Sequence, residues 1–217
     1  FNINGVTVGK GANSVANNTV LGESALDASV SGGNNTAVGK EALTSLTSAI
    51  SCTAVGQLAG FSHTTGNNLT AIGRGAAYSN TSGIENTAIG AGALFDNSTG
   101  ENNTAVGRLA LENNTTADHN TAMGRSALAA NTTGNQNVAI GNYALDANTT
   151  ASQLTAVGYN ALGNNTTGAN NTALGRSALL SNVTGNHNTA VGYNALISST
   201  GSSNTAVGTG ALDAATT

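Results

Sequence analysis

All six basic residues of the chain, Lys10, Lys40, Arg74, Arg108, Arg125 and Arg176, stand immediately after a glycine, and Tyr159 and Tyr193 occupy the same place. A file of cations and phenols at one recurring phase can contact a glycan or another polar surface, so Arg74, Arg108, Arg125, Tyr159, Arg176 and Tyr193 form a candidate receptor stripe. If successive copies stack, Arg176 lies between two rings, a cation–π arrangement worth ~0.5–1 kcal/mol when exposed. The plainer reading is a solvated or inter-chain edge that keeps rods soluble and in register. Arg108 also has Glu112 in its own copy, or Asp96 in the neighbouring one, as a possible ion-pair partner. Phe61, Tyr78 and Phe95 recur four places further on, as a short aromatic group. Sugar stacking is their functional reading; the structural one is packing over a widened turn, because Gly60 and Ala77 replace a leucine beside two of them.

Other chemistry is excluded by what is scattered. The acidic residues show no recurring spacing that would hold a general acid opposite a base. No Gly-x-Ser-x-Gly elbow, phosphate loop or calcium nonapeptide occurs, so no enzymatic activity is expected. His63, His119 and His187 lie too far apart along a rod to share an ion and read as surface histidines. Cys52 is the single cysteine and reads as a packed thiol. Neither a metal nor another cofactor is implied. A net charge of −4 with six Lys and Arg gives no footprint for nucleic acid or an anionic membrane. No run of 18 apolar residues is present, so membrane insertion is not expected.

These residues are positioned by a repeat. The stretch Asn35-Thr36-Ala37-Val38-Gly39, followed by Ala42-Leu43, returns every 17 residues, its glycine at Gly56, Gly73, Gly90 and so on to Gly192, with Gly208 one residue early. With Asn35 as position 1, copies begin at Asn18, Asn35, Cys52, Leu69, Asn86, Asn103, Asn120, Asn137, Leu154, Asn171, Asn188 and Asn204. A fixed period near 20 residues is the mark of a solenoid, in which each copy buries its apolar face only against its neighbours. Residues 18–217 therefore read as twelve repeats of one continuous domain. Residues 1–17 read as an atypical capping coil, because the step from Gly9 to Gly22 is only 13. The 7% charged and 3% aromatic content argues against a conventional globular core.

Within a copy, positions 2 to 4 predict a short strand, invariant Gly at position 5 a sharp turn, and Asn-Thr-Thr-Gly at positions 12 to 15 a second one. Position 4 is always aliphatic and is expected to face the interior: Val38, Val55, Ile72, Ile89, Val106, Met123, Ile140, Val157, Leu174, Val191 and Val207. Leu at position 9 is expected to complete a thin core. Position 3 then points outward, and from Ala37 it is alanine eleven times running: Ala37, Ala54, Ala71, Ala88, Ala105, Ala122, Ala139, Ala156, Ala173, Ala190 and Ala206. A ladder of methyl groups on an outer face implies close approach by another backbone, so these alanines are expected to form the interface of a parallel homo-oligomer, three chains side by side.

The unit Asn-Thr-Ala-Val-Gly-x-x-Ala-Leu-x-x-Asn-Thr-Thr-Gly resembles repeats in the tail-fibre proteins of tailed phages, particularly cyanophages and other marine phages. It is similar, more distantly, to the Ser-Val-Ala-Ile-Gly repeats of YadA-like trimeric autotransporter adhesin heads. The resemblance covers nearly the whole chain and implies an all-β fold: a left-handed parallel β-roll or β-solenoid of 17-residue coils, trimeric, on an extended fibre. By that resemblance the chain would be a structural shaft or head segment of a virion's tail fibre. Its partners would be itself, other fibre proteins and a host cell-surface receptor, glycan or protein. A bacterial surface adhesin is the alternative. A more remote one is an ice-binding solenoid, which requires Thr and Val at positions 2 and 4 to face water and Ala to face the core. Met123, Leu174 and Leu21 at position 4 would spoil the plane of such a face.

Overall fold

A computed structural model describes residues 2–3 and 6–213. The side chains of Val6 and Ala12, and residues 214–217 at the end of the last repeat, lie outside the described residues. The chain is a parallel β-solenoid. After β1 (Asn2–Ile3), β2 (Val6–Gly9) and β3 (Thr19–Gly22), eleven three-residue strands, β4 (Thr36–Val38) through β14 (Thr205–Val207), cover positions 2 to 4 of successive copies. The fourteen strands form one sheet in chain order. From β3 onward every pairing is parallel and in step, so that Thr53 faces Thr70, Ala54 faces Ala71 and Val55 faces Ile72. Like residues therefore stack on like residues along the whole rod.

The first turn is different because it is short. Only residues 10–18 separate β2 from β3, fewer than the dozen that a parallel crossover needs. Accordingly β2 pairs antiparallel to β3, and β1 antiparallel to β2.

Coils are joined around the turns as well as along the strands. Gly107 N–H donates to Ile89 C=O at 2.7 Å, and Leu94 N–H donates to Ala110 C=O at 2.9 Å. At Gly73 the backbone takes φ 131°, and a Cβ there would sit 2.6 Å from the carbonyl oxygen of Gly90. Any side chain at position 5 would push two coils apart, which is why glycine is invariant there. The leucines of position 9 are themselves left-handed, at φ 52° for Leu94 and 51° for Leu111. That conformation costs a non-glycine residue roughly 1–2 kcal/mol. Complete burial of the side chain is worth about 1.5–3 kcal/mol and outweighs the cost.

The strand is turned over relative to the expectation from sequence. Ala37, Ala54, Ala71, Ala88, Ala105, Ala122, Ala139, Ala156, Ala173, Ala190 and Ala206 are inside the coil, none more than 4% exposed, and so cannot form an interface. Val38, Val55, Ile72, Ile89, Val106, Met123, Ile140, Val157, Leu174, Val191 and Val207 are half-buried or exposed on the outer face and are not the core. The reason is room. The interior of a 17-residue coil already holds the alanine of position 8, usually a leucine at position 9 and, in nearly every copy, at least one buried asparagine from position 1 or 12, with asparagine at both in five of the twelve. From Ala37 onward a methyl group fills the room opposite them, with the larger Val20 buried only in the first copy, and period-two alternation then sends positions 2 and 4 outward together.

The asparagines make the core partly polar. Along position 12, Asn97, Asn114, Asn131 and Asn148 each donate Nδ2–H to the Oδ1 of the previous copy's asparagine, at 3.0, 2.8, 3.0 and 2.9 Å. The same amide donates to the carbonyl three residues on, as Asn97 does to Gly100 at 2.9 Å. Along position 1 the Oδ1 of one asparagine accepts the backbone N–H of the next, as Asn103 N–H to Asn86 Oδ1 at 2.9 Å. Position 12 is thus not simply a turn residue bonding its own backbone; it is a buried row.

Candidate functional site

The outer sheet face carries two parallel files. Threonines of position 2 are mostly half-buried, and beside them the aliphatics of position 4 are exposed by 36% at Val55, 38% at Ile72, 42% at Met123 and 46% at Leu174. Leu21 continues the second file at 46%. An unbroken apolar ladder of this length is uncommon on a solitary soluble chain.

The position 6 residues divide into two groups. Towards the end of the rod, Arg176 lies between Tyr159 and Tyr193, its guanidinium carbon 5.8 and 5.6 Å from the ring centroids. Arg176 Nη1 also donates to Tyr193 Oη at 3.5 Å. Arg125 lies 5.3 Å from the Tyr143 ring, which meets Tyr159 edge-on at 6.1 Å. Tyr143, one place off the phase at position 7, thereby links Arg125 to the expected Tyr159–Arg176–Tyr193 run. Alignment at a single position could not show it; adjacency of the coils could.

Arg74 and Arg108 belong to neither contact. The one ion pair among the described residues is Lys40 with Glu23, 3.3 Å apart at the surface, so Arg108 pairs with neither Glu112 nor Asp96. Instead Arg74 and Arg108 border a cleft of about 410 Å³ whose wall includes Tyr78, Phe95 and Glu112. Phe61, Tyr78 and Phe95 are stacked within it and beside it, centroids 5.0 and 4.8 Å apart and planes 5° from parallel.

Of the histidines, His119 and His187 are exposed, but His63 is fully buried, contrary to its reading as a surface residue. Position 12 is the signal that would have found it. His63 Nε2 bonds the Gly66 carbonyl and Nδ1 faces the Asn80 amide at 3.3 Å, so the ring continues the asparagine row. The shorter contact with Gly66 places the neutral ring's proton on Nε2 and leaves Nδ1 to accept from the Asn80 amide, although the Asn80 backbone carbonyl lies equally near Nδ1 at 3.3 Å. Cys52, at position 1 of the same coil, is buried with Sγ 3.6 Å from Nε2. Burial pushes the thiol up and the imidazole down from their ordinary pKa values, so both stay neutral.

No protein family, curated protein or solved structure matches the chain.

Proposed function

We propose that this chain is a stiff segment of a fibre in which three copies, each wound left-handed, lie side by side with their Thr and aliphatic files turned to a common axis. The observation that carries this reading is the uninterrupted outward ladder from Leu21 to Val207. Eleven steps of ~4.8 Å by three residues of ~3.3 Å give a face of roughly 500 Å². With its flanking turns that approaches the ~800 Å² per partner of a standard interface. Register supports the same end: identical residues repeat at every coil, so parallel copies meet ladder to ladder. The repeat's resemblance to phage tail fibres makes a virion fibre the first assignment, a spacer that holds or contributes to receptor attachment; a bacterial surface adhesin shares the architecture.

Mass and scattering cross-section of the purified chain test this directly. Three chains and a three-lobed section are expected, and Ile89→Lys with Met123→Lys should give folded single chains, since exposed substitutions change stability by only about ±0.5 kcal/mol. A wild-type single chain with the ladder open to water would sink the proposal.

A second reading is favoured by one observation. Thr and aliphatic side chains face outward in register, which is the condition set by an ice-binding face. Met123 and Leu174, at 42% and 46% exposure, interrupt the plane and weigh against it. Thermal hysteresis from single chains would establish this reading, and its absence would remove it.

A further inference from the structure

The cleft between Arg74 and Arg108 has a built geometry that the fibre reading does not require. Gly75 and Gly92 occupy position 7 in consecutive coils, whereas the coils on either side carry Leu58 and Leu109 there. Two missing side chains make the hollow. Ala91 stands between the two arginines at position 6, so the guanidinium groups are carried two coil steps apart, about 10 Å, with nothing bulky between them. Neither arginine has an acidic partner among the described residues, and both line the cleft. Tyr78 and Phe95 supply an apolar wall, and Glu112 adds an acceptor.

We propose that this cleft binds one unit of an acidic saccharide, a sugar ring bearing a carboxylate or a sulfate. The aromatic and leucine wall takes the C–H face of the ring. One guanidinium or both take the acid group through charge-assisted hydrogen bonds, which are the strong ones. Glu112 accepts from ring hydroxyls. A volume of about 410 Å³ falls within the range of small-molecule sites, roughly 300–1,000 Å³. No residue of positions 2 or 4 lines the cleft, so the site does not depend on the proposed chain association.

Saturation-transfer NMR on the full chain tests this, with oligogalacturonate and a sulfated galactan oligosaccharide as probes and the methyl-esterified and desulfated forms as controls. At least one acidic probe is expected to bind, with its neutral control weaker by about tenfold or more, the effect of losing a hydrogen bond to a charged group. Which of the two binds distinguishes carboxylate from sulfate. Arg74→Ala and Arg108→Ala should each weaken it similarly. Gly92→Leu should abolish it while leaving the chain folded, since Leu109 holds the same left-handed conformation at the same position. Failure of both acidic probes, equal binding of acid and neutral forms, or binding untouched by Gly92→Leu would each overturn the proposal. So would a change in the number of chains per particle with Gly92→Leu and no sugar bound, which would make the cleft a socket for a sister chain.

Discussion

The inner and outer ladders are built by the same repetition but differ in whether their needs are met. Inside, Asn97, Asn114 and Asn131 pass one hydrogen bond from coil to coil and donate a second to the turn. The Ala and Leu rows around them are fully buried. Outside, the aliphatic file from Leu21 to Val207 is left facing water by the chain alone. A buried polar row is costly only when a member lacks its partner, whereas an exposed apolar row is a standing incentive to associate. The solenoid is therefore closed as a fold and open as a surface, and substitutions in the two regions should fail in different ways.

The largest effect is expected at Ala105→Leu. If this methyl group lay at an interface, the substitution would disturb assembly and spare the coil. Because Ala105 is buried, three added carbons must displace the opposite wall, and overpacking of that size costs about 3 kcal/mol. A fall in thermal midpoint in singly dispersed chains, measured by circular dichroism, checks it; unchanged stability would mean the strand is turned the other way. Next comes Asn114→Ala. It removes the donor to Asn97 Oδ1 and the acceptor of the Asn131 amide, leaving both buried groups short of a partner at a cost of about 2 kcal/mol, while the Ala117 carbonyl keeps the Asn103 amide. Asn114→Leu should cost less, because Leu46 already fills position 12 in another coil.

These two variants also mark where the sequence stops being informative. The 17-residue period, the strands at positions 2 to 4 and the Gly turn were all legible, because repetition and backbone sterics leave few alternatives. The direction of the strand was not. Period-two alternation shows that Thr36 and Val38 share a face and Ala37 takes the other, yet nothing in it says which face is inner. The decision came from the interior volume, and that depends on Asn35 and Asn97 being inside, which a rule that places apolar residues within does not anticipate. The stripe shows the same limit. The contact of Arg176 with Tyr159 and Tyr193 followed from stacking alone, but the cleft beside Arg74 depends on the absence of side chains at Gly75 and Gly92.

A smaller and opposite effect is expected where the asparagine row ends. Asn182 donates to Asn165 Oδ1 at 2.9 Å, but its own Oδ1 has no partner, because the next position 12 is Ser199, whose hydroxyl is also unpartnered. Ser199→Asn should extend the row by one member and stabilise the chain by about 1 kcal/mol. Chemical denaturation measures it. Destabilisation instead would show that the last full turn, one residue shorter than the others, has no room for the amide.

The smallest effect is one of pH, and it comes from the only residue that continues the asparagine row with a titratable ring. His63 accepts at Nδ1 where its neighbours accept at Oδ1, and donates at Nε2 where they donate at Nδ2. A second proton would deprive the Asn80 amide of its acceptor and place a charge in the core; the Gly66 and Asn80 carbonyls favour that proton, but burial outweighs them and holds the pKa below the ordinary 6.5. The unfolded chain, with the ordinary value, takes the proton first as pH falls. Stability from this site is therefore complete above about pH 6.5 and is lost as pH drops from there through the lower folded value. Cys52, whose thiol is pushed up, remains neutral over that window and adds nothing. His63→Asn restores the residue its neighbours use and removes the titration. Its stability relative to the native chain should thus rise as pH falls from 7 to 5, read from thermal midpoints, and a constant difference across that range would show that His63 titrates no differently folded than unfolded.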